Sequence, residues 1–323
     1  MAASTSKLKS LGTGQKVLAG LALAYASFAW SLTPIFIRLL SHSYDPFTQI
    51  VMRYGTAAIV LTVVCLTFYR AEFLCALRQS RRILPLALVI VCHQYVWTAA
   101  NYGATPTVAQ LTTKLSIVLV VVFSFIMFHE ERAVIRHPYY LIGTLLSLAG
   151  MTGVLAKDPY SLVPNLDRFA LLLLMTALLW AVYVVWAKHL VGDIDPVPLF
   201  TVLALWATLG FIVLAVALGD MHRIVDAGPR VTAIAIVSGI IPIALAHPAY
   251  HHAQRALGAA LCSSLNLMNP LLTYAFALLI WPDEHLMPSQ WAGAAVLLAG
   301  TLLVTLAAQR AGRHVIELPA SDR

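Results

Sequence analysis

The sequence predicts an all-α polytopic membrane protein, with ten transmembrane helices in two inverted five-helix repeats. Three observations predict it. Of the 323 residues, 60% are hydrophobic and 11% charged, and the mean hydropathy is +0.82. A soluble domain carries about 25% charged residues, so a water-facing surface could not be covered. Apolar runs long enough for the roughly 20 residues of a membrane-crossing helix recur between charged breaks. Finally, the chain aligns on itself at an offset of 150 residues.

Taken in order, the apolar runs give spans at 17–39, 47–69, 83–104, 106–128, 139–156, 168–188, 197–218, 231–253, 259–281 and 287–308. The start, "MAASTSKLKSLGTGQK", has the basic character of a signal n-region, but the run behind it exceeds a signal h-region and is read as a retained first span. The third-to-fourth and eighth-to-ninth connections are the shortest. Residues 17–157 then form the first repeat and 158–309 the second, with tails at 1–16 and 310–323.

Loop charge sets the orientation. With the N-terminus inside, the cytoplasmic side holds fourteen Lys and Arg residues, among them Lys7, Lys9, Lys16, Arg70, Arg78, Arg81, Arg82, Arg132 and Arg136. The other side holds five: Arg38, Lys157, Arg168, Arg223 and Arg230. Arg53 and Lys114 fall within spans. Both tails are therefore expected in the cytoplasm, and the net charge of +7 reflects topology, not a nucleic-acid partner. No N-x-S/T sequon occurs, in keeping with a bacterial inner membrane. Cys65, Cys75, Cys92 and Cys262 form no CxxC pair and are read as small buried hydrophobes.

The repeat is specific. "WSLTPIFIRLLSHSYDP" (30–46) aligns without gaps on "WAVYVVWAKHLVGDIDP" (180–196), matching Trp30 with Trp180, Arg38 with Lys188, and Asp45-Pro46 with Asp195-Pro196. The same offset places "GTLLSLAG" (143–150) on "GAAVLLAG" (293–300), and "FHEE" (128–131) falls near "WPDE" (281–284). Five spans per repeat is an odd number, so the halves must be oppositely oriented. Inverted repeats of this kind mark secondary transporters, with the site near the midplane between the halves.

On these residues the chain resembles the drug/metabolite transporter superfamily, specifically its EamA-type members, over roughly 17–309. The resemblance rests on "W…P…R" in the first span, "DPFTQIVMRYGTAAIVL" in the second, and Pro270, Glu284, Gly293 and Gly300 across the last two. It implies a 5+5 inverted-repeat carrier with a central cavity that moves small metabolites, often outward. Two departures stand out: Ile117 replaces the proline expected in the fourth span, and Lys114 lies where the second repeat has Leu267.

All fourteen carboxylates fall in loops or at span ends. A buried Asp or Glu cannot therefore carry protons, and histidine, which titrates near neutral pH, is the remaining carrier. Lys114 lies eight residues after Pro106, roughly 12 Å inward, where a charged lysine costs at least about 2.5–3.5 kcal/mol. A wet cavity or a substrate anion would compensate it; snorkelling to the outer surface is the alternative. Gln110 is one turn away. His93, Trp97 and Asn101 form one stripe on the third span. The eighth span contributes His247, Tyr250 and His251, where Pro248 should kink the helix and free the Ala244 carbonyl. On the ninth span, Ser263, Asn266 and Thr273 share a face. Trp30 and Trp180 could form opposite cavity walls. Arg53 matches an arginine often seen at this place in the family the chain resembles; it reads either as a second-rank site or as a structural anchor that binds backbone carbonyls at the outer mouth.

"HPAYHH" (247–252) has the spacing of one histidine box of a membrane di-iron enzyme, but no second box accompanies it. The stretch is better read as the cytoplasmic half of a polar pathway. His93, His247 and His251 are the candidate proton carriers, and no metal or cofactor is expected. Together these readings predict a carrier, not an enzyme, for a small anionic or zwitterionic metabolite such as an amino acid or other carboxylate, working by alternating access and exporting. The alternatives are phosphorylated or cationic drug-like substrates, or a His-box metalloenzyme.

Overall fold

The computed structural model describes residues 13–127, 137–160, 163–190, 194–257, 262 and 266–317. The described residues are helical almost throughout. In order they form α1 (Thr13–Ser31), α2 (Thr33–Leu40), α3 (Pro46–Phe68), α4 (Arg70–Arg78), α5 (Ser80–Asn101), α6 (Pro106–Thr113), α7 (Leu115–Met127), α8 (Pro138–Val154), α9 (Arg168–Leu190) and α10 (Pro196–Leu218). There follow α11 (Arg223–Asp226), α12 (Gly228–Gly239), a π-helical segment (Ile240–Leu245), α13 (Ala246–Leu257), a 3₁₀ turn (Asn266–Met268), α14 (Asn269–Ile280) and α15 (Pro288–Glu317).

Among the described residues, eight stretches are long and apolar enough to cross a membrane: Val17–Leu40, Pro46–Phe68, Ser80–Asn101, Pro106–Phe123, Arg168–Ala187, Pro196–Leu218, Gly228–Ala253 and Pro288–Ala307. The 17 residues of α8 and the 12 of α14 are shorter. Two expected boundaries move. α15 continues through Glu317, past 309, because hydropathy marks where lipid contact ends, whereas "AAQRAGRH" still favours helix. The loop predicted between the second and third spans holds α4. The "FHEE" residues 128–131, the start of the ninth predicted span at 259 and Ser263 lie outside the described residues.

Local chemistry explains the helix starts. Asp45 and Asp195 are N-caps followed by Pro46 and Pro196 at the first helical position, which needs no N–H donor. Thr105 before Pro106 and His137 before Pro138 repeat the device. Asp45 also reaches across the repeats. Its Oδ1 accepts from Phe47 and Thr48 N–H at 2.9 and 3.1 Å, and its Oδ2 accepts from Asp220 N–H at 3.0 Å, just past the end of α10. Burial pushes its carboxyl up, but these hydrogen bonds outweigh that and hold it below the ordinary carboxylate range.

The helices pack in repeat-related pairs: α3 on α10, α8 on α15, α1 on α13, and α9 on α5. The α8–α15 seam is the tightest. A Cβ added to Gly143 would lie 2.6 Å from Gly300 O, and one added to Gly150 would lie 2.3 Å from Leu297 N and 2.7 Å from Gly293 O. Gly143 thus meets Gly300 while Gly150 meets Gly293, so these two sequence-matched helices run antiparallel. Outside the core, Ile59, Val63, Leu66 and Phe68 leave one face of α3 apolar and exposed, while Arg53, Tyr54, Ala57, Leu61 and Cys65 are buried. Of the cysteines, Cys65 and Cys262 are buried as predicted, but Cys75 on α4 and Cys92 on the outward face of α5 are exposed.

Candidate functional site

Four of the apolar segments are interrupted. The first breaks at Leu32, between α1 and α2, with Pro34 opening the second piece. The fourth breaks at Lys114, between α6 and α7, although no proline stands there. The ninth breaks at Asn266–Met268, the 3₁₀ turn before α14, with Pro270 behind it. Leu267 is thus in the break that matches the one at Lys114. The eighth loosens into a π-helix at Ile240–Leu245 around Pro242. The kink expected at Pro248 is displaced: α13 runs through Pro248, and the irregular turn lies ahead of it. Broken helices near the midplane are where transporters build their sites, because they release backbone groups.

The end of α1 is the hub. Trp30 Nε1 donates to Pro242 O at 3.1 Å, inside the π-helix, and Tyr25 OH donates to Ile241 O. The Trp30 and Ser31 carbonyls, freed by the break, accept from Gln110 Nε2 and Thr273 Oγ1, both at 2.8 Å. Ser27 Oγ donates to Asn266 Oδ1 at 3.0 Å. The Trp30 ring lies 5.2 Å from His247 and 4.7 Å from Tyr250, and His247 stacks on Phe200 at 4.3 Å.

The other repeat mirrors this. The Trp180 ring lies 5.3 Å from His93 and 5.2 Å from Tyr183. Each repeat therefore sets a histidine of its third span against the tryptophan of the other repeat's first span. His247 is close enough to both His93 and His251 for their charges to interact. Trp30, Trp180, His93, His247, Tyr250, Gln110 and Asn266 are thus brought into one connected core. His251 is half-buried beside Tyr250, and His252 is exposed.

Trp97 and Asn101 stand apart. Trp97 packs with Ile37, Ala100, Ala109 and Leu173 in an apolar cluster, and Asn101 Nδ2 donates to the Trp97 carbonyl of its own helix. The predicted stripe on α5 is split: its inner member faces the core, and its outer members pack the outer end.

Lys114 is 8% exposed and sits at the helix break, one turn from Gln110. Its ammonium forms no hydrogen bond or ion pair among the described residues. The ion pairs found there lie elsewhere: Arg38–Glu284, Lys157–Asp167 and Arg223–Asp220. Arg53 is 1% exposed, and its guanidinium donates to none of the backbone carbonyls that the anchor reading required among the described residues. Arg38 bonds Glu284 and lies 4.5 Å over the Trp281 ring, tying the first span to the loop before α15. Burial raises the Glu284 carboxyl, and Arg38 offsets this in part. Among the described residues no group of three or more His, Cys, Asp or Glu is gathered as a metal site. The 470 Å³ surface concavity at Lys157–Leu166 contains none of the core residues.

Sequence reasoning missed Ser27, Phe200, Tyr183 and the Pro242 carbonyl. Only "GIIPIAL", a proline within an apolar run, could have signalled the last.

The sequence model of the EamA-like transporter family matches residues 17–156 and 168–306, the two repeats in turn. The chain belongs to the EamA-like transporter family. It is an integral membrane transporter, and the family's members are transporters, not enzymes. Twenty-six solved chains match its fold. One of these, titled "Crystal structure of protein", is 17% identical with a TM-score of 0.64, over 90% of this chain and 98% of that one. No curated protein matches.

Proposed function

We propose that this transporter carries a small anionic or zwitterionic metabolite, an amino acid or other carboxylate, by alternating access, and exports it. The observation that carries the reading is Lys114: a buried lysine at a mid-span helix break with no carboxylate paired with it among the described residues. A charge in this position calls for a counter-charge, and a substrate carboxylate supplies one. Trp30, Trp180 and Tyr250 would hold the apolar part of the substrate.

The architecture of the proposal is ten spans in two inverted halves, in a bacterial inner membrane with both termini inside. The antiparallel match of Gly143–Gly150 with Gly293–Gly300 and the paired Trp–His contacts support it. The interrupted first, fourth, eighth and ninth spans supply elements that can rearrange as access alternates. If protons are coupled, His93 and His247 carry them, because no carboxylate lies in the core among the described residues.

The test is thermal stability of the purified protein against amino acids, organic acids, phosphorylated sugars and cationic drugs, for wild type and Lys114→Gln. A ligand that binds the native state alone raises Tm. The reading expects a carboxylate to stabilise wild type only. Stabilisation by cations that survives the substitution would reject it.

A further inference from the structure

Arg53 lies seven residues into α3, about 10 Å from the helix start at 1.5 Å per residue. It heads the largest fully buried side chains among the described residues. A guanidinium presents five N–H donors and stays charged at any physiological pH. Here Nε is buried and unpaired, and no hydrogen bond or ion pair forms to any guanidinium nitrogen among the described residues. Among the described residues, Tyr54 and Tyr102 lie close enough to interact with its charge, and neither is a carboxylate.

The surroundings are closed and polar. Gln49 is one turn earlier on the same face of α3. Its Nε2 donates to Ile37 O and Tyr102 OH, at 3.0 and 3.2 Å, while its Oε1 is buried and unpaired. Tyr102 OH in turn donates to Tyr44 O. Gly239 covers the backbone here: a Cβ on it would lie 2.4 Å from Arg53 O. An arginine with a purely structural role would spread its donors over carbonyls or pair with a carboxylate. This one does neither. Gln49 Oε1, with two lone pairs, could accept two N–H groups at most, and the rest of the five-donor fork is left open. A planar fork of donors matches a carboxylate in two bonds and a halide as a point charge.

We infer that Arg53 anchors a second anion site, between α3, the loop after α5 and the end of α12, that takes a carboxylate group or a halide. It is separate from the Lys114 site, because no hydrogen bond or ion pair joins the two, and it stands whether or not Lys114 binds substrate.

The test uses the full-length protein in lipid nanodiscs, in a bulky sulfonate buffer at fixed ionic strength, titrated with sodium bromide, chloride or acetate. Wild type and Lys114→Gln show a saturable rise in Tm. With Lys114→Gln in the background, which removes the carboxylate site proposed there, Arg53→Gln loses it, with an apparent affinity at least roughly tenfold weaker, and Arg53→Lys keeps part of it. A folded Arg53→Gln protein in that background with the wild-type response, or a wild type with no saturable response, overturns the site. Should Arg53→Gln fail to fold, crystals of wild type soaked in bromide decide. An anomalous peak within reach of the Arg53 guanidinium supports the site, and none there overturns it. Competition identifies the source: a transported carboxylate that displaces bromide places the site on the substrate path, and one that leaves bromide bound marks a resident halide. Failure of the Lys114 reading appears separately, as substrate stabilisation that persists in Lys114→Gln.

Discussion

Gly150→Ala should destabilise the protein, and the same change at Gly20 should not. An alanine Cβ at position 150 would lie 2.3 Å from Leu297 N and 2.7 Å from Leu297 Cα. Ordinary contact begins near 3.5 Å, so α8 and α15 must part by about 1 Å, a gap that forfeits a quarter to a half of each van der Waals well along the seam. The seam is long: a Cβ added to Gly143, Gly153, Gly293 or Gly300 would likewise come within 2.5–2.8 Å of a backbone atom. Overpacking of this kind costs about 1–3 kcal/mol, occasionally more, while the helix preference for alanine returns up to about 1 kcal/mol. The expected net loss is therefore up to about 2 kcal/mol, and more where overpacking exceeds that range. Gly20 on α1 has nothing within 4 Å of its added Cβ, so alanine there should gain about 0.4–1 kcal/mol through the unfolded chain. Equilibrium unfolding in mixed micelles, with the two variants side by side, measures the difference. Equal stability for both would refute the close antiparallel seam.

Further expectations follow from the same geometry. Acidification should remove the stabilisation supplied by Asp45: its folded-state carboxyl is held low, so the contribution is present above the ordinary carboxylate range and lost as pH falls through the folded value. Asp45→Asn should lower stability at neutral pH and flatten that acid limb, which thermal melts across pH would record. Trp30→Phe keeps an aromatic, though smaller, ring but removes the Nε1 donor to Pro242 O, an expected loss of about 1–3 kcal/mol that Tyr25→Phe, at Ile241 O, should partly reproduce. A double-mutant cycle of Arg38→Gln and Glu284→Gln should give a coupling of about 0.5–1 kcal/mol, since the pair is only partly buried, and zero coupling would dismiss it as a latch. His93→Asn and His247→Asn should flatten the pH dependence of transport if protons are coupled, and an unchanged profile in both rejects histidine coupling.

Much of this fold is legible in the sequence because lipid simplifies the code. Runs of apolar residues bounded by Asp-Pro, Thr-Pro and His-Pro caps fix where helices start, and Trp30/Trp180 with the two glycine stretches fix which helices correspond. Hydropathy says less about where a helix stops, as the continuation of α15 to Glu317 shows. The site was legible as a set of residue types but not as contacts. A spacing of four places His93, Trp97 and Asn101 on one stripe, yet α5 runs from the core to the outer packing and divides them. Pro248 drew attention from Pro242, because a proline's position does not say whether the helix ahead of it will kink or widen. Arg53 read as an anchor because sequence cannot show whether carbonyls are within its reach. The break at Lys114 has no local proline, but Thr113 Oγ1 donates to Gln110 O and Ser116 Oγ to Thr113 O on either side of it, and back-bonding of this kind bends helices.

The central claim is that Lys114 holds a substrate carboxylate. Counterflow in proteoliposomes tests it most directly, using the carboxylate that best stabilises the purified protein and comparing wild type, Lys114→Arg and Lys114→Gln. The account predicts exchange by wild type, reduced exchange with arginine, and none above empty liposomes with glutamine in a protein that remains folded. Counterflow by Lys114→Gln at the wild-type rate and KM would contradict it.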